Sequence, residues 1–312
     1  MKKMTFLLVL LGAFVIGCTA PKGGQPDFRP KKGPIVIGSK GFTEQIILAK
    51  MTSIYLRENG FDTIEVTGMG SPVIRNALEH GYIHLYWEYT GTGLMLFYRH
   101  PKETDGETTF QKVKALDAQK GLIWLDRARL NNSYTILMRK DRAQAKGIRT
   151  LSNLAAYVNL NPGDLIFGSN REFVSRTDGL KGLENAYGFR FPTSNIIIID
   201  TGLTYIYLKE KAVDVAMGFT TDGRVTGYEL IPLEDDRNYF PPYEAAPVVR
   251  REVLDMYPEI AGLMRDITSR LHTEVMTQLN SRVDVERQEA FLVAREWLIA
   301  NGLIKARQAS PR

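Results

Sequence analysis

Cysteine is all but absent from this sequence: Cys18 is the single one in 312 residues. An intrachain disulfide is therefore impossible. There are four histidines and no Cys/His pair at ligand spacing, which argues against a structural zinc site; no metal and no cofactor are expected. Beyond the N-terminus no apolar run approaches the ~20 residues that a membrane-spanning helix needs. There is no Gly-x-Ser-x-Gly elbow and no phosphate-binding Gly-x-x-x-x-Gly-Lys loop, so the sequence gives no support for an enzyme. Charge of one sign is not concentrated either. The net charge is +5, but the basic residues are scattered apart from Lys2-Lys3 and Lys31-Lys32, which argues against a nucleic-acid partner. What remains is an ordinary globular composition, 44% hydrophobic and 24% charged, with length enough for two domains of moderate size.

The N-terminus reads as an address. Lys2 and Lys3 precede an almost wholly apolar stretch from Met4 to Gly17, too short to span a bilayer and suited to a signal-peptide core. It ends in Val15-Ile16-Gly17-Cys18, which resembles the bacterial lipoprotein cleavage box. In that reading residues 1–17 are removed and Cys18 carries lipid. Residues 18–34, with their prolines and glycines, form a flexible tether, and the folded body begins near Ile35, outside the cytoplasm and close to a membrane.

The body contains its own repeat, at an offset of 130 residues. Ile35-Val36-Ile37-Gly38-Ser39 lines up with Leu165-Ile166-Phe167-Gly168-Ser169, each a short apolar strand running into a turn. With one extra residue in the second copy, Phe42-Thr43-Glu44-Gln45 faces Phe173-Val174-Ser175-Arg176. Ile83 to Gly93 faces Val213 to Gly223, and helices are expected before each, around Pro72 to His80 and Leu203 to Lys211. The run Asn195 to Asp200 reads as a buried strand, with Thr63 to Thr67 as its counterpart. Strands alternating with helices imply mostly parallel sheets covered on both faces. Two such lobes facing each other at the carboxyl ends of their strands make a ligand cleft that closes by a hinge. From about Val253 the pattern is helical. Leu271, Val275 and Leu279 recur at helical spacing, as do Phe291, Ala294, Trp297 and Leu298 before Asn301-Gly302. This part is expected to pack on the first lobe.

The cleft argument selects residues just after strands. They are Lys40 and Gln45 after the first strand, Tyr89 and Thr92 after the strand from Ile83, and Arg176 and Phe219 in the second lobe. Tyr134 and Tyr243 lie near the crossovers between lobes. Rings at such positions serve either as core or as a cage for a cation. The repeat sets Tyr89 and Phe219 on opposing walls, and the negative faces of aromatic rings attract quaternary ammonium, at about 2 kcal/mol for a desolvated ring. Arg176 either forms a surface ion pair or holds a ligand carboxylate with two parallel hydrogen bonds. With Lys40 beside it, the second role would make the ligand zwitterionic.

Four motifs carry a resemblance: Ile37-Gly38-Ser39-Lys40-Gly41-Phe42-Thr43-Glu44-Gln45, Glu88-Tyr89-Thr90-Gly91-Thr92-Gly93, Thr221-Asp222-Gly223-Arg224, and the run from Glu234 to Pro247. Together they resemble the osmoprotectant (glycine betaine/choline/carnitine) binding proteins of ABC importers, over nearly all of the chain from Ile35. The resemblance implies a two-lobed α/β fold of the type II periplasmic-binding class, with lobe I from 35–133 and 243–312 and lobe II from 134–242. It implies an aromatic cage of Tyr89, Tyr134, Phe219 and Tyr243, ligand contacts from Gln45 and Thr92, and a carboxylate met by Lys40 and Arg176. It also implies a permease and a cytoplasmic ATPase as partners; a monomer is expected. This sequence departs from the family pattern at Phe219, where Tyr is usual, at Trp87 in place of Pro, and at His84 in place of an acidic residue. Relatives of this fold are associated with ergothioneine and with bile-salt tolerance, and a ligand-gated sensor lipoprotein would share the same binding module. Porphobilinogen deaminase has similar lobes but attaches its cofactor to a cysteine in the body, and here the body has none.

Overall fold

A computed structural model describes residues 32–306; Cys18 and the signal segment lie outside the described residues, as does the tether up to residue 31. Ten strands form two five-stranded sheets. The first sheet contains β1 (Lys32–Lys40), β2 (Phe61–Met69), β3 (Leu85–Tyr89) and β4 (Leu122–Trp124). The second is made of β5 (Tyr134–Arg139), β6 (Phe167–Ser169), β7 (Ile196–Ile198), β8 (Val215–Phe219) and β9 (Leu230–Pro232), and β10 (Ala245–Arg250) returns to the first. The orders are β2-β1-β3-β10-β4 and β7-β6-β8-β5-β9, one topology used twice. The repeat read from the sequence is visible here: β3 and β8 sit at the 130-residue offset. It extends to side chains. The His84 ring nitrogen Nδ1 accepts the Val36 amide at 3.1 Å, and the Asp214 carboxylate, at the equivalent position, accepts the Ile166 amide at 3.1 Å.

The sheets are less parallel than alternating strands and helices suggest. Pairing is parallel for β1 with β2 and β3, and for β6 with β7 and β8. It is antiparallel wherever β10 or β5 takes part. The cause is the exchange between lobes. After β4 and again after β9 the chain crosses over, so β5 and β10 enter their sheets from the cleft side, against the direction of their neighbours. The run from Asn195 is a second correction. It forms β7, but at the edge of its sheet, with Ile197 at 36% and Ile198 at 43% exposure. A β-branched run does not distinguish an edge strand from a central one. A third concerns the tether. Strand pairing starts at Lys32, whose amide donates to the Gly60 carbonyl at 3.0 Å, and Gly33 adopts a φ of 106° within it, a conformation that glycine reaches without steric cost.

The helix α1 (Thr43–Glu58) is buried on nearly every side, from Ile47, Leu48 and Met51 through Ile54 and Leu56. It lies between the first sheet and the C-terminal helices Glu259–Thr268, Thr273–Asp284 and Ala290–Ala300. A helix buried on most of its sides needs such cover. The helix α2 (Ser71–Glu79) begins at Gly70 with no side-chain cap of its own. Among the described residues no helix is long and apolar enough to cross a membrane, and no group of His, Cys, Asp and Glu could hold a metal ion.

Candidate functional site

A cavity of about 710 Å³ lies between the lobes. Its first wall is built from the ends of β1, β2 and β3, with Lys40, Met69 and Tyr89 as their last residues; its second comes from Asn170 after β6, Ile198 in β7 and Phe219 at the end of β8. Tyr134, which opens β5, and Tyr243, just before β10, join them from the two crossovers. The carboxyl ends of two parallel strand sets therefore meet across one space, where open α/β sheets bind ligands.

Rings dominate one region of the lining. Phe42 stacks on Phe219 with centroids 5.1 Å apart and on Tyr89 at 6.3 Å. Tyr134 is tilted against Phe219 at 5.1 Å and meets Tyr243 edge-on at 5.5 Å. Tyr243 has its place because Gly91 gives way to it: a Cβ there would come within 2.8 Å of the Pro242 carbonyl and 2.9 Å of the Tyr243 ring. The Phe219 ring is held between Phe42 and Tyr134 and against the hydrophobic core.

Lys40, Tyr89, Thr92, Tyr134, Phe219 and Tyr243 all line the cavity; Gln45 and Arg176 do not. The Lys40 ammonium pairs with the buried Glu88 carboxylate at 2.5 Å and stands 5.2 Å over the Tyr89 ring. Gln45 is buried one layer back, its amide near the Tyr89 hydroxyl but outside hydrogen-bond geometry. Arg176 is held by Asp178 through Nε at 2.9 Å and Nη2 at 2.5 Å, and packs 5.5 Å from the Tyr134 ring centroid. Burial works against its charge, while the nearby Tyr134 and Asp178 favour it, and the guanidinium ends well above its ordinary range. Gln45 and Arg176 are equivalents in the repeat, but they leave the cavity in different ways: Gln45 is buried on the first turn of α1, and Arg176 follows the short helix Arg171–Ser175, where Asp178 holds it.

Phe42, Asn132 and Glu172 also line the cavity, though the strand-end pattern does not select them. The repeat held a signal for the first, because Phe42 is matched with Phe173, whose ring lies 5.0 Å from Tyr134. Nothing local marks the others. Glu172 reaches across the cleft, where its carboxylate accepts the Ser71 amide at 3.1 Å and so caps α2 from the opposite lobe. Asn132 donates to the Glu44 carboxylate at 3.0 Å, as does the Tyr89 hydroxyl at 2.7 Å.

Two lobes of like topology, joined by two crossovers around a ring-lined cavity, define a solute-binding protein of the periplasmic-binding class. Residues 33–300 match the family described as the substrate-binding domain of ABC-type glycine betaine transport systems, and the chain belongs to that family. It is 39% identical over 278 residues to a glycine-betaine-binding protein of Pseudomonas aeruginosa, with 88% of this chain and 89% of that one covered. It is 33% identical over 284 residues to the glycine betaine-binding protein YehZ of Escherichia coli K12, covering 87% and 92%. Among solved structures, a crystal structure of a glycine betaine/carnitine/choline ABC transporter component superposes with a TM-score of 0.68 at 27% identity, over 86% of this chain and 99% of that one. The protein is thus the substrate-binding component of an ABC-type transport system and not an enzyme; such components sit outside the cytoplasm and work with a permease and an ATPase.

Proposed function

We propose that this protein captures a small quaternary-ammonium solute of the glycine betaine, carnitine or choline type and presents it to its permease. The observation that carries the reading is the convergence of Phe42, Tyr89, Tyr134, Phe219 and Tyr243 on one cavity. A trimethylammonium group donates no strong hydrogen bond, and ring faces are the protein surface best suited to hold it. Tyr89, Tyr134, Phe219 and Tyr243 form the cage, Phe42 adds a fifth face, and Thr92 closes the wall beside Tyr89. Lys40 meets a ligand carboxylate by sharing its ammonium with Glu88. Gln45 and Arg176 act one layer out, Gln45 behind Tyr89 and Arg176 through the ring of Tyr134. The relatives' names, which specify glycine betaine, support the same ligand class.

The cavity also has room for a larger trimethylammonium compound such as ergothioneine, so the test includes one. The folded body is titrated by calorimetry with glycine betaine, carnitine, choline and ergothioneine in turn. Saturable binding of at least one is expected, and silence from all four would remove this reading. Cys18, in the same proposal, is the lipid-bearing first residue of the mature protein; Cys18→Ser is expected to release it from washed membranes into the soluble fraction, and continued lipid-dependent retention would refute the anchor.

A further inference from the structure

Of the buried carboxylates among the described residues, Glu44 alone lacks an ion pair. Glu88 has Lys40, Asp117 has Arg75, Glu184 has Arg190 and Asp284 has Arg224, each within 4 Å. Glu44 is 2% exposed and is met only by neutral donors. Its Oε1 accepts the Tyr89 hydroxyl at 2.7 Å and the Asn132 amide at 3.0 Å; its Oε2 accepts the Thr221 hydroxyl at 2.7 Å and the Asn280 amide at 3.3 Å. Four donors on two oxygens favour the ionised form of a buried carboxylate where no cation is present. The Asn280 amide also donates to the Thr221 carbonyl at 2.9 Å, so the shell is braced from its far side.

The place of this group matters as much as its charge. Glu44 sits on the first turn of α1, Tyr89 ends β3, Asn132 lies in a crossover, Thr221 follows β8 in the second lobe, and Asn280 is on the C-terminal helix Thr273–Asp284. Glu44 itself does not line the cavity, but Tyr89 and Asn132 do. The other charges at the Tyr89 ring, Lys40 and Glu88, cancel as a pair. A carboxyl group with no counter-ion of its own therefore stands behind the aromatic wall, separated from the cavity by the Tyr89 phenol and the Asn132 amide.

We infer that Glu44 is the electrostatic complement of the ligand: the bound solute's ammonium, seated on the Tyr89 ring, is the counter-ion that this carboxylate lacks in the protein alone. This rests on the quaternary-ammonium reading above and deepens it. Ring faces already favour a cation, and a fixed negative charge behind them widens that preference over a neutral group of the same size. Glu44 is a specificity-determining and positioning residue in this scheme, since it acts on the ligand through Tyr89 and across space.

A linkage follows. Burial without a counter-ion pushes the Glu44 carboxyl up from its ordinary range, against the pull of its four donors. A cation arriving next to it favours the ionised form, so ligand binding tightens as pH rises through the range where Glu44 loses its proton, and levels off above it. The side chains facing Glu44 from the packed elements are Tyr89, Asn132, Thr221 and Asn280. Only Tyr89 among them titrates, and burial together with the Glu44 charge holds its phenol well above its ordinary value of 10.

The test compares charged ligands with uncharged twins. Dissociation constants are measured at about pH 8, where an ordinary carboxylate is fully ionised, for glycine betaine and choline and for their tert-butyl isosteres, in which carbon replaces the ammonium nitrogen. Wild type is expected to prefer the cations. Glu44→Gln, which keeps the size of the group, is expected to lose tenfold or more for both cations, about 1.4 kcal/mol, while the isosteres change by less than about threefold on the same scale. Equal losses for cations and isosteres would reduce Glu44 to a prop for Tyr89 and overturn the inference, and so would no loss at all. Wild type supplies an arm that does not depend on the variant's folding. Glycine betaine affinity measured from acid to neutral pH should rise and level off, with proton release seen in buffers of different ionisation enthalpy, and a flat profile would overturn the assignment. If wild type binds neither cation, the quaternary-ammonium reading itself has failed, a result distinct from the loss of the Glu44 effect in a protein that does bind.

Discussion

Tyr89 illustrates how much one residue carries here. Its ring faces the cavity under the Lys40 ammonium, and its hydroxyl donates to Glu44. Tyr89→Ala removes both functions and should weaken glycine betaine binding tenfold or more by calorimetry, since a desolvated ring contributes about 2 kcal/mol to a cation. Tyr89→Phe keeps the ring face and should lose less; an alanine variant with unchanged affinity would take Tyr89 out of the cage. Arg176 makes the opposite point. A guanidinium in a cleft protein invites the role of carboxylate clamp, but this one is bonded twice to Asp178, packs near the Tyr134 ring and does not line the cavity. Arg176→Ala should therefore weaken betaine and choline by similar factors, through a loosened Tyr134. A loss confined to betaine would show that the guanidinium reaches the carboxylate after all.

Helix α2 shows a contact that belongs to an element rather than a residue. Its first turn has unpaired backbone amides, as every helix start does, and the residue at its cap is Gly70, which has no side chain to offer. The cap comes from Glu172 in the other lobe. A carboxylate at a helix N-terminus is favourable by roughly 0.5–2 kcal/mol, and here that energy is gained only when the lobes stand this close. Glu172→Gln retains an acceptor but loses the charge, and should speed ligand release several-fold in stopped-flow measurements, with a smaller effect on the association rate. Unchanged release would mean that the contact does not help to hold the cleft shut. The edge strands teach a related lesson. β2 and β7 occupy equivalent edges, and both leave apolar side chains exposed, Ile64 and Val66 in one and Ile197 and Ile198 in the other, because an edge strand is covered on fewer sides than its sequence alone suggests.

For the molecule as a whole, binding and stability are linked through the cleft. A ligand that touches both lobes binds the folded chain and not the unfolded one, so glycine betaine at a hundred times its dissociation constant should stabilise the body by about 2.7 kcal/mol, read as a rise in the denaturant midpoint. Fluorescence and far-UV circular dichroism should shift together, since Tyr89 and Thr92 of the first lobe and Phe219 of the second line the same cavity. A shift seen by one probe and not the other would place the ligand within a single lobe.

The α/β class, the twofold internal repeat, the helical C-terminal part and the position of most of the cavity rings are legible in the amino-acid order alone, because each is written in strand-to-turn motifs, apolar spacing and self-similarity. Long-range packing settled the rest. It set β5 and β10 antiparallel because the chain changes lobes before each. It withdrew Gln45 and Arg176 from the cavity, Gln45 by burying it on the first turn of α1 and Arg176 by pairing it with Asp178. It also assembled the shell of Glu44 from residues at 89, 132, 221 and 280, four segments with no shared spacing. A buried charge and its neutral donors are a product of long-range packing, and local sequence has no way to announce them.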